Sequence, residues 1–185
     1  MKRRFLALVG MDRAGTRLEA EARSWDAGEE GERRTKALLV PLAREGWEML
    51  HDRRIPGAHS ANVDHVVVAP SGRAFLVDSK LWHGRARVRV LGGQLAHGSV
   101  GKVKEIDTVL FETRLTERAL GTTVTPLIAM HVAPVDGGGF IVRGVPVVPA
   151  DRLVELLRRN AGRPDPVRAR VLAERALRVL PRYVE

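Results

Sequence analysis

Cysteine is absent from the 185 residues, which excludes disulfides, thiolate zinc sites and cysteine nucleophiles and leaves any metal to oxygen or imidazole ligands. Aromatic residues make up only 4%, too few for a broad platform on which the bases of a single strand could stack. Long apolar runs are lacking too: no stretch approaches the roughly 20 residues that a membrane-spanning helix needs. The start, MKRRFLALVGM, combines a basic flank with a short apolar run, but no A-x-A-like site follows, so the chain reads as cytoplasmic rather than secreted. Acidic residues are the minority charge, 22 against 31 Lys and Arg, for a formal net charge of +9. That surplus favours a polyanionic partner through long-range attraction and counterion release, with nucleic acid expected and no membrane. The 6 histidines show no H-x-x-x-H or comparable spacing, which argues against a zinc hydrolase. Glycines in SGRAFL and VDGGGF form no P-loop, so nucleotide hydrolysis has no support.

What is present suffices for a core, since 44% of the residues are hydrophobic. Residues 1–24 include the charged segment TRLEAEARS, which has too little apolar surface to fold alone and reads as an N-terminal arm. From residue 28 to 44 the spacing of Thr35, Leu38, Leu39 and Leu42 predicts one buried helical stripe, with Pro41 shortening the last turn. GWEMLHDRRI reads as a strand ending at Pro56 and Gly57, and NVDHVVVAPSGRAFLVDSK as a hairpin. Residues 85–91, RARVRVL, alternate like a strand with one solvated face, and GGQL makes a turn. A helix over 102–120, strands in TTVTPLIAMHVAP and GGFIVRGVPVVP, a helix in ADRLVELLRRN and a last helix capped by Asp165 and Pro166 follow. The expected fold is α/β (α+β), one sheet flanked by helices.

Both strands of the hairpin carry an aspartate among valines. A buried carboxylate costs several kcal/mol unless it is paired, hydrogen-bonded or metal-bound. Alternation puts Asp64 on a face with Val66 and Val68, and Asp78 and Lys80 on a face with Leu76. A turn centred on Ser71 and Gly72 pairs Val66 with Leu76 and brings Asp64 opposite Asp78, roughly 5 Å apart. Like charges so placed need a cation, a shared proton or open water between them. Two hard carboxylates, a main-chain carbonyl and waters are what Mg²⁺ prefers, and a neighbouring lysine can position or deprotonate a water. The alternative is a pair of solvated strand-end acids, with Lys80 neutralising one of them; convergence of all three on one face favours a site. On the first helix, Glu32 follows the stripe of Thr35, Leu39 and Leu42 toward the core, with Glu29 one turn earlier on that face. A first-turn interaction with the helix dipole is the competing account of Glu32, and Glu30 points to solvent. His65 alternates away from Asp64 and reads as a packed or hydrogen-bonding residue, while Trp25, Trp47 and Trp82 read as core and rim.

Together GEEGERRTKALLVPL, WEMLHDRRIPG, ANVDHVVVAPSG, FLVDSKLWHGR and GGQL resemble the nuclease-related (NERD) domain, a branch of the PD-(D/E)xK nuclease superfamily with a restriction-endonuclease-like fold. The resemblance is strongest over residues 25–97 and extends more loosely to about residue 150, and it implies a central mixed β-sheet flanked by helices, with a core over 25–150 and a C-terminal helical extension over 151–185 packed on it. It implies a helical acid at Glu32, a strand acid at Asp64, and a (D/E)xK motif at Asp78 and Lys80, with Val63 in place of the proline. It further implies Mg²⁺ or Mn²⁺ held by Asp64, Asp78 and the Ser79 carbonyl, with Glu32 as a further ligand or outer acid and Lys80 orienting the attacking water. Gln94 is an auxiliary polar candidate, and Gly31 is expected to let the helix pack closely. The implied activity is phosphodiester hydrolysis, with DNA the favoured substrate; the alternative is a non-catalytic module of the same fold that binds nucleic acid or a protein partner.

Arg53, Arg54, Arg85, Arg87 and Arg89 flank the hairpin as candidate phosphate contacts, the last three in one solvent-side row if 85–91 is a strand. The C-terminal arginines surround their helix and read as solvated surface. A homodimer would suit cleavage of both strands of a duplex, though no stretch identifies an interface.

Overall fold

A computed structural model describes residues 26–58 and 62–183. The expected arm over 1–24, Trp25 and His59 lie outside the described residues. The first helix, α1, covers 26–39 and tightens at Pro41 into a 3₁₀ turn, Val40–Glu45. Proline cannot donate to the preceding turn and its ring crowds that carbonyl, so the α-helical ladder stops there. Gly46, with φ of 80°, reverses the chain into β1, Glu48–Arg54.

Next come β2 (Asn62–Val68), β3 (Ala74–Trp82), β4 (Val88–Leu91), β5 (Gln94–His97), β6 (Val100–Gly101), α2 (Val103–Leu120), β7 (Val124–Val132), β8 (Phe140–Val142), β9 (Val145–Pro149), α3 (Leu153–Asn160) and α4 (Pro166–Val179). The main sheet has the order β1-β2-β3-β7-β9-β8. β3 and β7 run parallel, joined by a crossover that contains α2, and β7 and β9 also run parallel; the outer pairings are antiparallel. This is the sheet flanked by helices that the sequence pattern implies, mixed as the family resemblance implies.

Two apolar clusters cover the two faces. On one, Leu50, Val66, Leu76 and Ile128 meet Ile106, Val109 and Leu115 of α2 and Leu172 and Ala176 of α4. On the other, Val67, Phe75, Val77 and Leu127 meet Leu39 of α1, Leu42, Trp47, and Leu153 and Leu157 of α3. Asp165 caps α4 by accepting the Arg168 backbone N–H at 3.0 Å, satisfying one of the donors a helix start leaves open.

Two details differ from expectation. Residues 85–87 are not strand: β4 begins only at Val88 and belongs to a separate small sheet, β4-β5-β6. Val88 donates its N–H to the Pro134 carbonyl at 2.8 Å, so pairing with the segment after β7 sets where extension starts. GGFIVRGVPVVP makes two strands, not one, because Arg143 and Gly144 both take positive φ and fold it into the β8–β9 hairpin.

Candidate active site

The β2–β3 hairpin positions the acids. Its ladder pairs His65 with Val77, Val66 with Leu76 and Val68 with Ala74, the register expected from the sequence. Gly72 at φ of 75° makes the turn possible, since a Cβ in that conformation is strained. Continued by one step, the register sets Asp64 against Asp78, and the ladder stops there. Asp64 Oδ2 accepts the backbone N–H of Ser79 at 2.7 Å, so a carboxylate takes the place of a strand carbonyl at the point where two acids would face each other.

Asp78 is 5% exposed. Its Oδ1 accepts from Lys80 Nζ at 2.8 Å, while Oδ2 is buried without a partner. Lys80 Nζ also lies 3.4 Å from Glu105 Oε2 on α2. Burial opposes the ammonium charge, but the carboxylates of Asp78, Glu105 and Asp64 outweigh it and hold Lys80 above its ordinary value. Lys80 is therefore a fixed cation in this form and has no lone pair with which to take a proton.

The acids are short of positive charge. Burial, then the charges of Asp78 and Glu32, raise Asp64 well above the carboxylate range. Burial raises Asp78 against the opposing pull of Lys80. Glu32 is raised by burial and then by Asp52 and Asp78. Glu32, on α1, thus lies within electrostatic reach of the strand acids. Gly31 beside it is buried, and a Cβ there would sit 3.4 Å from Leu81 Cβ and 3.8 Å from Ser79 Cβ. The start of α1 lies directly on the strand that carries the D-S-K run.

Three further acids are not evident from the sequence. Glu105 and Glu112 project from α2, and Glu112, 9% exposed, is pushed up to about 8 by burial and then by Asp78. They are seven positions apart, two helical turns, a spacing that becomes informative only once α2 is known to cross this face. Asp52 continues the β1–β2 register opposite Asp64, with φ of 50° and its Oδ1 accepting from Asn62 at 3.2 Å.

Beneath the acids, on the α1 side of the sheet, runs a chain of polar side chains. His51 Nδ1 lies 2.8 Å from His65 Nδ1, His65 Nε2 lies 3.2 Å from Ser79 Oγ, Ser79 Oγ is 2.8 Å from Thr35 Oγ1, and Thr35 Oγ1 is 2.8 Å from His131 Nε2. Burial lowers all three imidazoles, His65 to about 3 and His51 to about 4, so they are neutral.

The remaining candidates lie apart from this constellation. Glu29 is exposed on α1, and Gln94 is exposed at the start of β5 in the small sheet. Among the described residues neither hydrogen-bonds the acids. Arg85 and Arg87 precede β4, so the expected row of Arg85, Arg87 and Arg89 does not form: alternation orders side chains only within a strand. Arg87 pairs with Asp136 and Arg89 Nε donates to the Gly98 carbonyl at 3.0 Å. Arg53 is turned toward the C-terminal segment, where Nη1 lies 3.4 Å from the Leu180 carbonyl. Arg54 and Arg85 are exposed and make no ion pair among the described residues.

Among the described residues no three His, Asp or Glu side chains are grouped to hold a metal ion as they stand; Lys80 occupies Asp78. The donors present would suit a hard divalent cation all the same: two strand carboxylates raised first by burial, a partnerless Asp78 Oδ2 and one lysine for several acids.

No helix among the described residues is long and apolar enough to cross a membrane. Searches of curated proteins and of solved structures returned no match. The family model of the nuclease-related domain, NERD, does match, over residues 27–131, which takes in α1, the hairpin with Asp64, Asp78 and Lys80, α2 and most of β7, and the chain belongs to that family.

Proposed function

We propose that the protein is a metal-dependent nuclease that hydrolyses phosphodiester bonds in DNA. The observation that carries the reading is Asp78, buried and carrying a partnerless oxygen, across the hairpin from a second raised carboxylate, with Lys80 as the adjacent cation. Asp64, Asp78 and the Ser79 carbonyl would hold Mg²⁺ or Mn²⁺, with Glu32 as further ligand or outer acid. Bound there, the cation would supply a nucleophile at neutral pH and polarise the phosphate. Lys80, as a fixed ammonium, would orient the water and offset charge on the phosphate, which leaves proton removal to another group. The net charge of +9 would draw the polyanion in.

The test is cleavage of supercoiled, linear and single-stranded DNA with Mg²⁺, Mn²⁺ or EDTA, comparing wild type with Lys80→Ala. Metal-dependent cutting that is lost in the variant supports the reading; equal cutting by both proteins removes Lys80 from the site. A second reading, a binding module that does not cut, is favoured by the ion pair with Lys80 that already engages Asp78 and by the lack of a preformed three-ligand group among the described residues. DNA binding without cutting under every metal condition selects it.

A further inference from the structure

The polar chain under the acids crosses the sheet link by link. His51 comes from β1, His65 from β2, Ser79 from β3 and His131 from β7, the four consecutive strands of the sheet, and Thr35 of α1 bridges the last two. Its inner members are shut off from solvent: Thr35 is 0%, His65 1%, Ser79 4% and His131 6% exposed. Every link can be satisfied with all groups neutral and donating in one direction: His51 Nδ1–H to His65 Nδ1, His65 Nε2–H to Ser79 Oγ, Ser79 O–H to Thr35 Oγ1, and Thr35 O–H to His131 Nε2.

Ser79 joins this chain to the site. Its side chain points to the α1 face, between Asp78 and Lys80 on the α2 face, and its backbone N–H is the group that Asp64 holds at 2.7 Å. A one-residue slip of β3 would bury Asp78 or Lys80 among the α1-side apolar residues and take Ser79 Oγ away from His65 Nε2 and Thr35 Oγ1. A buried polar group left unpaired is costly, so the chain penalises slipped or splayed arrangements of the segment that carries the acids.

We propose that Thr35 and His65 are positioning residues for the nuclease site: by clamping the Ser79 side chain from behind, they fix the Ser79 peptide units, whose N–H anchors Asp64 and whose carbonyl would help to hold the cation. The role is distinct from general stability because it acts at one peptide. It rests on the reading of Asp64 and Asp78 as the reacting site.

The test uses the full chain with Thr35→Val, which replaces the hydroxyl by a methyl of similar size, and Thr35→Ser, which keeps it. Amide hydrogen exchange is followed residue by residue, and the Mn²⁺ concentration for half-maximal DNA cleavage is measured. In Thr35→Val the amide of Ser79 is expected to exchange at least tenfold faster while those of Leu76 and Val77 change less than twofold. The Mn²⁺ requirement is expected to rise at least fivefold, and Thr35→Ser to restore both within twofold. Unchanged exchange at Ser79, or a rise spread evenly along β3, overturns the proposal. So does faster exchange at Ser79 with an unaltered Mn²⁺ requirement in an enzyme that cuts. Should Thr35→Val not fold, Ser79→Ala removes the clamped hydroxyl and keeps the amide, and the same criteria apply. If wild type neither binds Mn²⁺ nor cleaves DNA, the nuclease reading falls by itself, and exchange at Ser79 still decides whether the clamp exists.

Discussion

Replacing Glu112 by Gln gives a sharp test of the electrostatics assigned to the α2 side of the site. Glu112 is 9% exposed and raised from 4.5 to about 8, first by burial and second by Asp78. The native state therefore keeps a proton that the unfolded chain releases near pH 4.5. Stability from this group is fully present below pH 4.5 and is lost as pH rises through about 8. At about 1.4 kcal/mol per pKa unit, the whole displacement is worth about 4–5 kcal/mol, an upper bound because relaxation and water entry reduce it. Gln has nearly the same shape and never ionises. Glu112→Gln should match wild type within about 1 kcal/mol at pH 4.5 and exceed it by about 2–4 kcal/mol at pH 9, the gap opening between those values. Urea unfolding followed by the fluorescence of Trp47, buried in the α1-side cluster, at pH 4.5, 6, 7.5 and 9 measures it. A difference that does not vary with pH would refute the reasoning, since only a group that titrates differently in the two states can produce the slope.

Other perturbations probe the rest of the arrangement. Asp78→Asn removes a buried charge while Lys80 keeps Glu105 at 3.4 Å, so the variant should stay folded, within about 2 kcal/mol of wild type, and lack the rise in melting temperature that Mn²⁺ is expected to give wild type; a rise in the variant equal to that of wild type would exclude Asp78 as a ligand. His65 is lowered to about 3, first by burial, so it contributes stability above pH 6.5 that is lost as pH falls through about 3. His65→Gln should therefore show a shallower loss of stability over that range, and an acid limb identical to wild type would contradict a buried neutral imidazole. Gly31→Ala places a methyl 3.4 Å from Leu81 Cβ and should be neutral or slightly stabilising for the helix, whereas Gly31→Leu should cost about 1–3 kcal/mol by overpacking; equal thermal midpoints for the two would show that the helix does not rest on β3. Leu157→Ala should cost about 2–5 kcal/mol, because Leu157 of α3 is fully buried among Leu39, Trp47 and Phe75; a loss below 1 kcal/mol on denaturant unfolding would mean that the C-terminal helices stand apart from the core.

Local sequence determined a good deal of this protein. The three- and four-residue spacing of Thr35, Leu39 and Leu42 fixes the buried side of α1, and Pro41 fixes its end. The turn at Ser71 and Gly72, with the period of two, fixes the register that puts Asp64, Asp78 and Lys80 on one face. Both signals are short-range: they depend on backbone geometry within one element or across one tight turn, so the sequence window contains everything needed. The extent of β4 was not legible in RARVRVL, because alternation at 85–87 is overruled by the contact of Val88 with the segment after β7. Glu105 at Lys80, Glu112 within reach of Asp78, and the chain from His51 to His131 were decided by tertiary structure alone. Thr35 meets Ser79 across 44 positions and His131 across 96. The parallel β3–β7 crossover through α2 and the packing of α1 on β3 bring these groups together, and neither spacing nor composition encodes which distant polar residues will share a buried site.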